Sequence, residues 1–247
     1  MAKLNKADYT KEAWRKLKQE KKLEKAAKRA AKAEAKAKSQ KLNTTPHQEC
    51  AFVLGNGLSR QPVNLYSLKS YGPIYGCNAI YRDFDPDYLV AVDVKMVLEI
   101  NRVKYQIKNP NVWTNPNKAY DTFPNLSFFS PSKGWSSGPT ALWFATTHGH
   151  KKIFILGFDF TGTNGGKHFN NIYSDTENYK KLRDGPTYYG NWLKQTVDVI
   201  RENPSINFIR VIASDNFCPD ELNNFNNYKT IRLKEFGKIF GFSVEDP

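Results

Sequence analysis

Four polar residues stand directly behind or within short apolar runs of this 247-residue chain. Asn56 follows "AFVL" (51–54), Asn78 lies in "PIYGCNAIY" (73–81), Asp93 closes "YLVAVD" (88–93) and Asp159 closes "KIFILGFD" (152–159). Carboxamides donate and accept hydrogen bonds, and carboxylates accept them or take a proton, so this set suits a phosphorylated or hydroxylated ligand. Asx residues also serve as loop caps, one at a time. Gly55 and Gly57 flank Asn56, and Ser59 and Arg60 follow. Glycines so placed serve either a sharp turn with positive φ or a loop that lets a phosphate approach the backbone.

A second candidate is "KGWSSGPTALWFA", Lys133 to Ala145. Pro139 suits the first position of a helix, where its missing N–H is not needed. Ser137 or Gly138 then takes the N-cap side. The free N–H groups of such a start, with the positive end of the helix dipole behind them, form an anion site, to which Lys133 can add charge. His168, in "GGKHFNNIY", lies nine residues beyond Asp159 and carries a side chain that titrates near neutrality. His148 and His150 read as polar residues closing a helix, and His47 falls in a linker. No metal-like Cys/His spacing, no Ser/His/Asp spacing and no P-loop is present.

The elements that must position these residues are legible in the texture of the chain. Besides the four runs above, "NVWTN" (111–115), "LSFF" (126–129) and "NFIRVIA" (207–213) are short, β-branched and aromatic. They are continuous rather than alternating, the pattern of strands buried on both faces. Helical candidates lie between several of them, at 94–105, 139–150 and 188–204. Strands alternating with helices imply an α/β fold, a Rossmann-like, mostly parallel sheet flanked by helices. In such a sheet the ligand crevice lies outside the carboxyl ends of the strands, where the four polar residues fall. Residues 160–186 are a long polar connection, expected to be a functional lid or an insertion.

The net charge of +13 is unevenly spread. Residues 1–41 hold 13 Lys and 2 Arg against 1 Asp and 4 Glu, or +10, and the rest of the chain only +3. The basic character therefore describes the tail and not what the body binds. Residues 1–45 read as a basic, Lys/Ala-rich helical or disordered tail and linker, serving as a tether or docking on an acidic partner such as nucleic acid. The domain is expected over 46–247. Three cysteines without a metal spacing set the expectation of a reducing, cytoplasmic setting, and no apolar run is long enough for a membrane span.

"GNGLSR", "YGCNAIYRDFDPDYLVAVD" and "SSGPTALWFATTHGHKKIFILGFDF" together resemble, in order and rough spacing, the bacterial sialyltransferases of glycosyltransferase family 42. They also resemble the domain of unknown function 115 family, which includes 6-hydroxymethylpterin diphosphokinase-like proteins. The resemblance covers about residues 51–215. It implies a nucleotide lying across the strand ends, touched by Asn56, Asn78, Ser137 and Gly138; their neighbours Gly55, Gly57, Ser59 and Ser136, with Asp93, complete the expected nucleotide-binding set. It implies that Asp159 lines the same crevice. The pattern departs at one place. The sialyltransferases set a catalytic His shortly before the helix that follows the long loop, and here Thr187, Tyr188 and Tyr189 stand there. His168 is then the substitute acid–base group with Asp159, and the phenols of Tyr188 and Tyr189 are the phosphate donors.

The resemblance implies a glycosyltransferase-like protein that binds a nucleotide-activated sugar, a CMP-sugar first, with no firm cofactor. Two alternatives stay open: a pterin-type diphosphokinase using ATP and Mg²⁺ through Asp93 and Asp159, and a non-catalytic nucleotide-binding module tethered by its tail. For the tail itself, burial at about 25 cal/mol per Å² is what anchors a helix to a body, and a Lys/Ala stretch has little apolar area to offer. Deleting residues 1–45 is expected to leave the melting temperature of the body nearly unchanged. A large drop in differential scanning calorimetry would show that Trp14, Leu17 and Leu23 pack on it.

Overall fold

A computed structural model describes residues 49–213 and 217–244. The tail over 1–45, the linker and His47 lie outside the described residues.

Eight strands form one sheet: β1 (Cys50–Leu54), β2 (Ile74–Cys77), β3 (Tyr88–Val90), β4 (Val112–Thr114), β5 (Leu126–Phe128), β6 (Lys152–Leu156), β7 (Asn207–Ile212) and β8 (Tyr228–Arg232). Their order is β5-β4-β3-β2-β1-β6-β7-β8, and every neighbouring pair is parallel. The chain adds strands outward on one side of β1, then returns to β1's other side with β6. The sheet therefore has its topological switch point between β1 and β6, where the following loops diverge.

Four main helices cover the sheet: α1 (Val94–Arg102), α2 (Ser137–Thr146), α3 (Gly190–Glu202) and α4 (Leu233–Phe240). Alternate strand residues feed two separate cores. Phe52, Leu54, Leu89 and Phe154 face the layer of α1 and α4, whereas Ala51, Val53, Val90 and Ile155 face α2 and α3. Burial on both faces is why the strands read as continuous apolar runs. Phe52, Phe154 and Phe240 lock α4 to the sheet, with ring centroids 5.0–5.6 Å apart.

The fold is the expected Rossmann-like α/β layer structure. Strand β8 and helix α4 are additions to the sequence reading. β8 is an edge strand in which only Ile231 is buried, so it lacks the apolar run that marks the others. α4 buries Leu233, Phe236, Gly237 and Phe240, one face at helical spacing, in a segment of eight residues. Helix α2 starts at Ser137, with Ser136 as N-cap, two residues earlier than the position of Pro139 implies. Pro139 therefore occupies the third helical position, still within the turn whose N–H groups lack intrahelical partners.

His148 closes the helix as expected, its Nδ1 on Phe144 O and its N–H on Ala145 O, and both His148 and His150 are also packed into the aromatic cluster on the α2 side. Tyr75 stacks on Tyr88 at 4.7 Å, its hydroxyl meets His150 Nε2 at 3.0 Å, and His148 sits edge-on to Phe144. Burial holds the His148 imidazole down at about 4, the Phe144 carbonyl that it contacts at 3.0 Å opposing and the charge of His150 assisting. An unfolded chain with an ordinary imidazole near 6.5 takes up this proton first as the pH falls. The contribution of His148 to stability is thus complete above about pH 6.5, declines between about 6.5 and 4, and levels off below. Thermal unfolding of His148→Phe at pH 7.5 and 4.5 is expected to show a smaller loss on acidification than the parent shows. Parallel losses would contradict this.

Candidate functional site

The loops after β1 and β6 meet at the switch point in direct backbone contact. Gly55 N–H donates to Leu156 O at 2.8 Å and Gly57 N–H to Gly157 O at 3.0 Å. Gly55 and Gly57 are glycines for room rather than for a left-handed turn. Gly57 has φ −65°, and it is Gly157, with φ +69°, that makes the positive-φ bend. A Cβ on Gly57 would lie 2.7 Å from Gly157 O and closer still to the Asp159 carboxylate.

Asp159 clamps the two loops from the other end. Its carboxylate accepts the Ser59 N–H at 3.2 Å, the Ser59 hydroxyl, and an Asn170 amide proton at 3.1 Å. Three of about four lone-pair positions are filled, and the open one belongs to Oδ1. Arg210, in the middle of β7 and 1% exposed, supports this loop by donating to Phe158 O at 2.8 Å and Asp159 O at 3.3 Å. A charge inside the run "NFIRVIA" was the signal for this contact.

A crevice opens above these loops, of about 720 Å³ with the open space at its mouth included. Gly55, Asn56, Gly57 and Asp159 form its floor. Asn78, Asp93 and the start of α2, Ser136 to Gly138, form one wall, and Tyr189 and Trp192 stand on the other side. A hydrogen-bonded chain fixes the first wall. Val92 N–H donates to Ser137 Oγ at 3.1 Å, Ser137 Oγ–H donates to Asn78 Oδ1 at 2.7 Å, and Asn78 Nδ2 donates to Asp93 Oδ2 at 3.3 Å. Asn78 takes φ +52° to turn into this position, which Asn tolerates. Asp93 is the N-cap residue of α1 yet makes no side-chain cap bond. Its carboxylate turns to Asn78 instead, and the crevice walls, by partial desolvation, raise its pKa.

At the head of α2 the first N–H to find an intrahelical-type partner is that of Thr140, on Ser136 O at 3.0 Å. Pro139 has none to offer, so the N–H groups of Ser137 and Gly138 are the donors that the helix leaves for a ligand. Tyr189 has a buried hydroxyl without a hydrogen bond of ordinary geometry. Burial raises the pKa of this phenol, the Asn170 backbone pulling the other way and the charge of Asp159 pushing it up.

Four candidates stand apart from the crevice. Ser59 lies behind its floor, bonded to Asp159, and faces a neighbouring cavity. His168 pairs its backbone with Thr163 in both directions, and its ring meets the Asn164 amide at 3.5 Å. Tyr188 is 77% exposed on the outer side of the turn into α3. Lys133 turns away to Glu202, 3.3 Å distant, over Trp135 and Trp143. The long polar connection is folded against the body. Phe169 and Tyr173 are buried, and Ile172 N–H donates to Asn56 O at 2.8 Å. Arg82, paired with the buried Glu99, donates to Thr176 and to Glu177 O. The turn Thr163–Gly166, with Gly165 and Gly166 at positive φ, and residues 180–186 are among the connection's more exposed parts. Asn170, Asn171 and Trp192 line the crevice without having been singled out in the sequence, since contacts across a long loop leave no local pattern.

No protein-family profile matches the chain, and no curated protein does. Among solved structures, it is similar to the sialyltransferase CstII from Campylobacter jejuni in complex with a substrate analogue, cytidine-5'-monophosphate. The identity is 16% and the TM-score 0.47, over 80% of this chain and 99% of that one. It is also similar to the enzyme WbmH from Bordetella bronchiseptica in complex with NAD⁺, at 11% identity and TM-score 0.25, over 68% of this chain and 56% of that one. At these values the likenesses decide nothing about the chemistry of the crevice.

The interlock of the two loops has a direct test. Gly57→Ala forces a methyl group against Asp159 and the Gly157 carbonyl, and overpacking of this kind costs about 1–3 kcal/mol. The expected result is a melting temperature lower by roughly 2–10 °C. Gly138→Ala meets only the Phe158 ring, at 3.2 Å and beyond, and is expected to cost less.

Proposed function

We propose that this chain binds a nucleotide-activated sugar carrying a single phosphate charge, a CMP-sugar, and transfers the sugar to an acceptor hydroxyl. The observation that carries the reading is the convergence, at the switch point, of the α2 N-terminus with neutral donors. No Lys or Arg side chain lines the crevice among the described residues. One helix N-terminus supplies roughly half a positive charge, which suits a phosphodiester monoanion better than a di- or triphosphate.

In this reading the nucleoside end lies near Asp93, where a carboxylate with a free oxygen accepts from ribose hydroxyls, as acidic residues do in dinucleotide-binding folds. The phosphate sits on Ser137 and Gly138 N–H, with Asn78 beside it. The sugar points to Asp159 and Tyr189. Transfer breaks the bond between the anomeric carbon and the phosphate oxygen, and the electron pair leaves with the phosphate. The α2 N–H groups stabilise that charge, and Tyr189, kept protonated by its raised pKa, donates to the same oxygen. The acceptor oxygen forms the new glycosidic bond, and its proton goes to the open lone pair of Asp159 Oδ1.

The Mg²⁺-dependent alternative draws on Asp93 and Asp159, which follow β3 and β6 with β2 and β1 between them and line the same crevice. The deciding experiment is a thermal-shift panel of CMP, CDP, UDP, GDP and ATP, each with and without Mg²⁺. CMP at a hundred times its Kd is expected to raise the melting temperature by roughly 5–10 °C. A shift with Mg²⁺-ATP and none with CMP would replace this reading by phosphoryl transfer. Tyr189→Phe is expected to keep CMP binding within a few fold and to lower turnover by roughly 10²-fold.

A further inference from the structure

A crevice for an anion that is lined by no cation raises the question of what offsets the ligand's charge beyond one helix end. Arg60 is 4% exposed and lies immediately behind the crevice floor. Its Nε–H donates to Gly55 O at 2.6 Å, and its Nη2 donates to Asn56 Oδ1 and to the Tyr173 hydroxyl, both at 3.3 Å. Gly55 and Asn56 are floor residues. Arg60 makes no ion pair with a carboxylate among the described residues. The nearest acid of its network, Asp83, is one hydroxyl away, accepting the Tyr173 O–H at 2.6 Å, and is itself exposed to solvent. A buried guanidinium is costly, and it normally finds a carboxylate. Here the charge is stored, with no carboxylate at contact distance, directly behind the crevice floor.

We propose that Arg60 is the positioning residue of the anion site: it supplies the site's positive potential through the floor, without touching the ligand, and fixes the Asn56 carboxamide within that floor. The inference rests on the nucleotide reading of the crevice. Two further observations support it. With its oxygen held by Arg60, Asn56 donates its amide protons to Cys77 O at 3.1 Å and towards the Tyr179 hydroxyl at 3.5 Å, so the carboxamide has one orientation only. The Cys77 thiol, which lines the crevice, is pushed up to about 12 by burial, with the Arg60 charge pulling it down and the Asp93 charge pushing it up. A fork that must grip a carbonyl and a carboxamide at once also explains why the cation is arginine.

The test compares CMP with cytidine by isothermal titration calorimetry at low salt. The two ligands differ by the phosphate alone, so a defect in packing moves both affinities, and a lost potential moves only the first. Arg60→Gln is expected to cut the ratio of CMP to cytidine affinity on the order of tenfold, and Arg60→Lys, which keeps the charge, to retain most of it. Asp83→Asn removes the solvent-exposed counter-charge and is expected to raise the ratio about two- to threefold at low salt and not at 0.5 M. This variant decides the matter should Arg60→Gln fail to fold. An unchanged ratio in Arg60→Gln, or in Asp83→Asn where the glutamine variant does not fold, overturns the proposal. If the parent binds neither CMP nor cytidine, it is the nucleotide reading that fails. The same variants titrated with inorganic phosphate then test Arg60 alone: phosphate affinity lower in Arg60→Gln and retained in Arg60→Lys supports its role, and equal affinity, or no phosphate binding to the parent, overturns it.

Discussion

The backbone interlock between the loops after β1 and β6 is the constraint on which the rest depends. In an open parallel sheet these two strands are neighbours whose chains leave in opposite directions, and the space so created is the crevice. Its depth depends on how closely the two loops approach. Here Gly55 and Gly57 bring backbone against backbone, with Gly157 bending away at φ +69°. Asp159 then fastens the β6 loop to Ser59 of the β1 loop, and Asn170 joins the long connection to both. A side chain at either glycine would push the loops apart and fill the floor in one step.

Two buried arginines sustain the interlock from below, and their roles are parallel. Arg60 holds Gly55 O in the β1 loop, and Arg210 holds Phe158 O and Asp159 O in the β6 loop. Carbonyls at the end of a strand have lost their ladder partners, and burial without a donor would cost each of them about 1–3 kcal/mol. Guanidinium groups satisfy them. The difference lies in what surrounds each cation. Arg210 faces the Phe160 ring at 5.2 Å inside the core, whereas Arg60 faces the carboxamide of the crevice floor.

Much of this arrangement was legible in the sequence, for a physical reason. A parallel sheet places every strand's carboxyl end on one edge, so a polar residue that closes an apolar run is placed by topology alone. Asn56, Asn78, Asp93 and Asp159 were found in this way, and so was the head of α2 through Gly138 and Pro139. Chemistry by residue type alone was a poorer guide. His168 has the right side chain, but the backbone pairing with Thr163 directs the ring to Asn164. Tyr188 and Tyr189 are neighbours, and at the entrance to α3 only Tyr189 lines the crevice. Arg60 was visible beside the "GNG" loop, yet nothing local tells a buried fork from an exposed one. That distinction is made by Tyr173, 113 residues later.

The placement of charge also bears on selectivity. A lysine reaching into the crevice would attract any anion, and a diphosphate more strongly than a monophosphate, because its charge adds directly to the ligand's. A helix end and a cation held behind neutral groups act over a longer distance and in fixed directions. Under the proposed reading, the ligand is therefore recognised by where its phosphate lies relative to the Ser137 and Gly138 N–H groups, and only secondarily by how much charge it carries. The same logic explains the cost accepted at Asp93. A carboxylate that gives up capping α1 forgoes about 1 kcal/mol of helix stability, and a free oxygen at the mouth of the crevice becomes available to a hydroxyl. With Asp93 at one end, the α2 N-terminus between and Asp159 at the other, the crevice orders its contacts along the sheet edge from β3 to β6. Under the proposed reading, a ligand with a hydroxylated ring, one phosphate and a second ring matches that order.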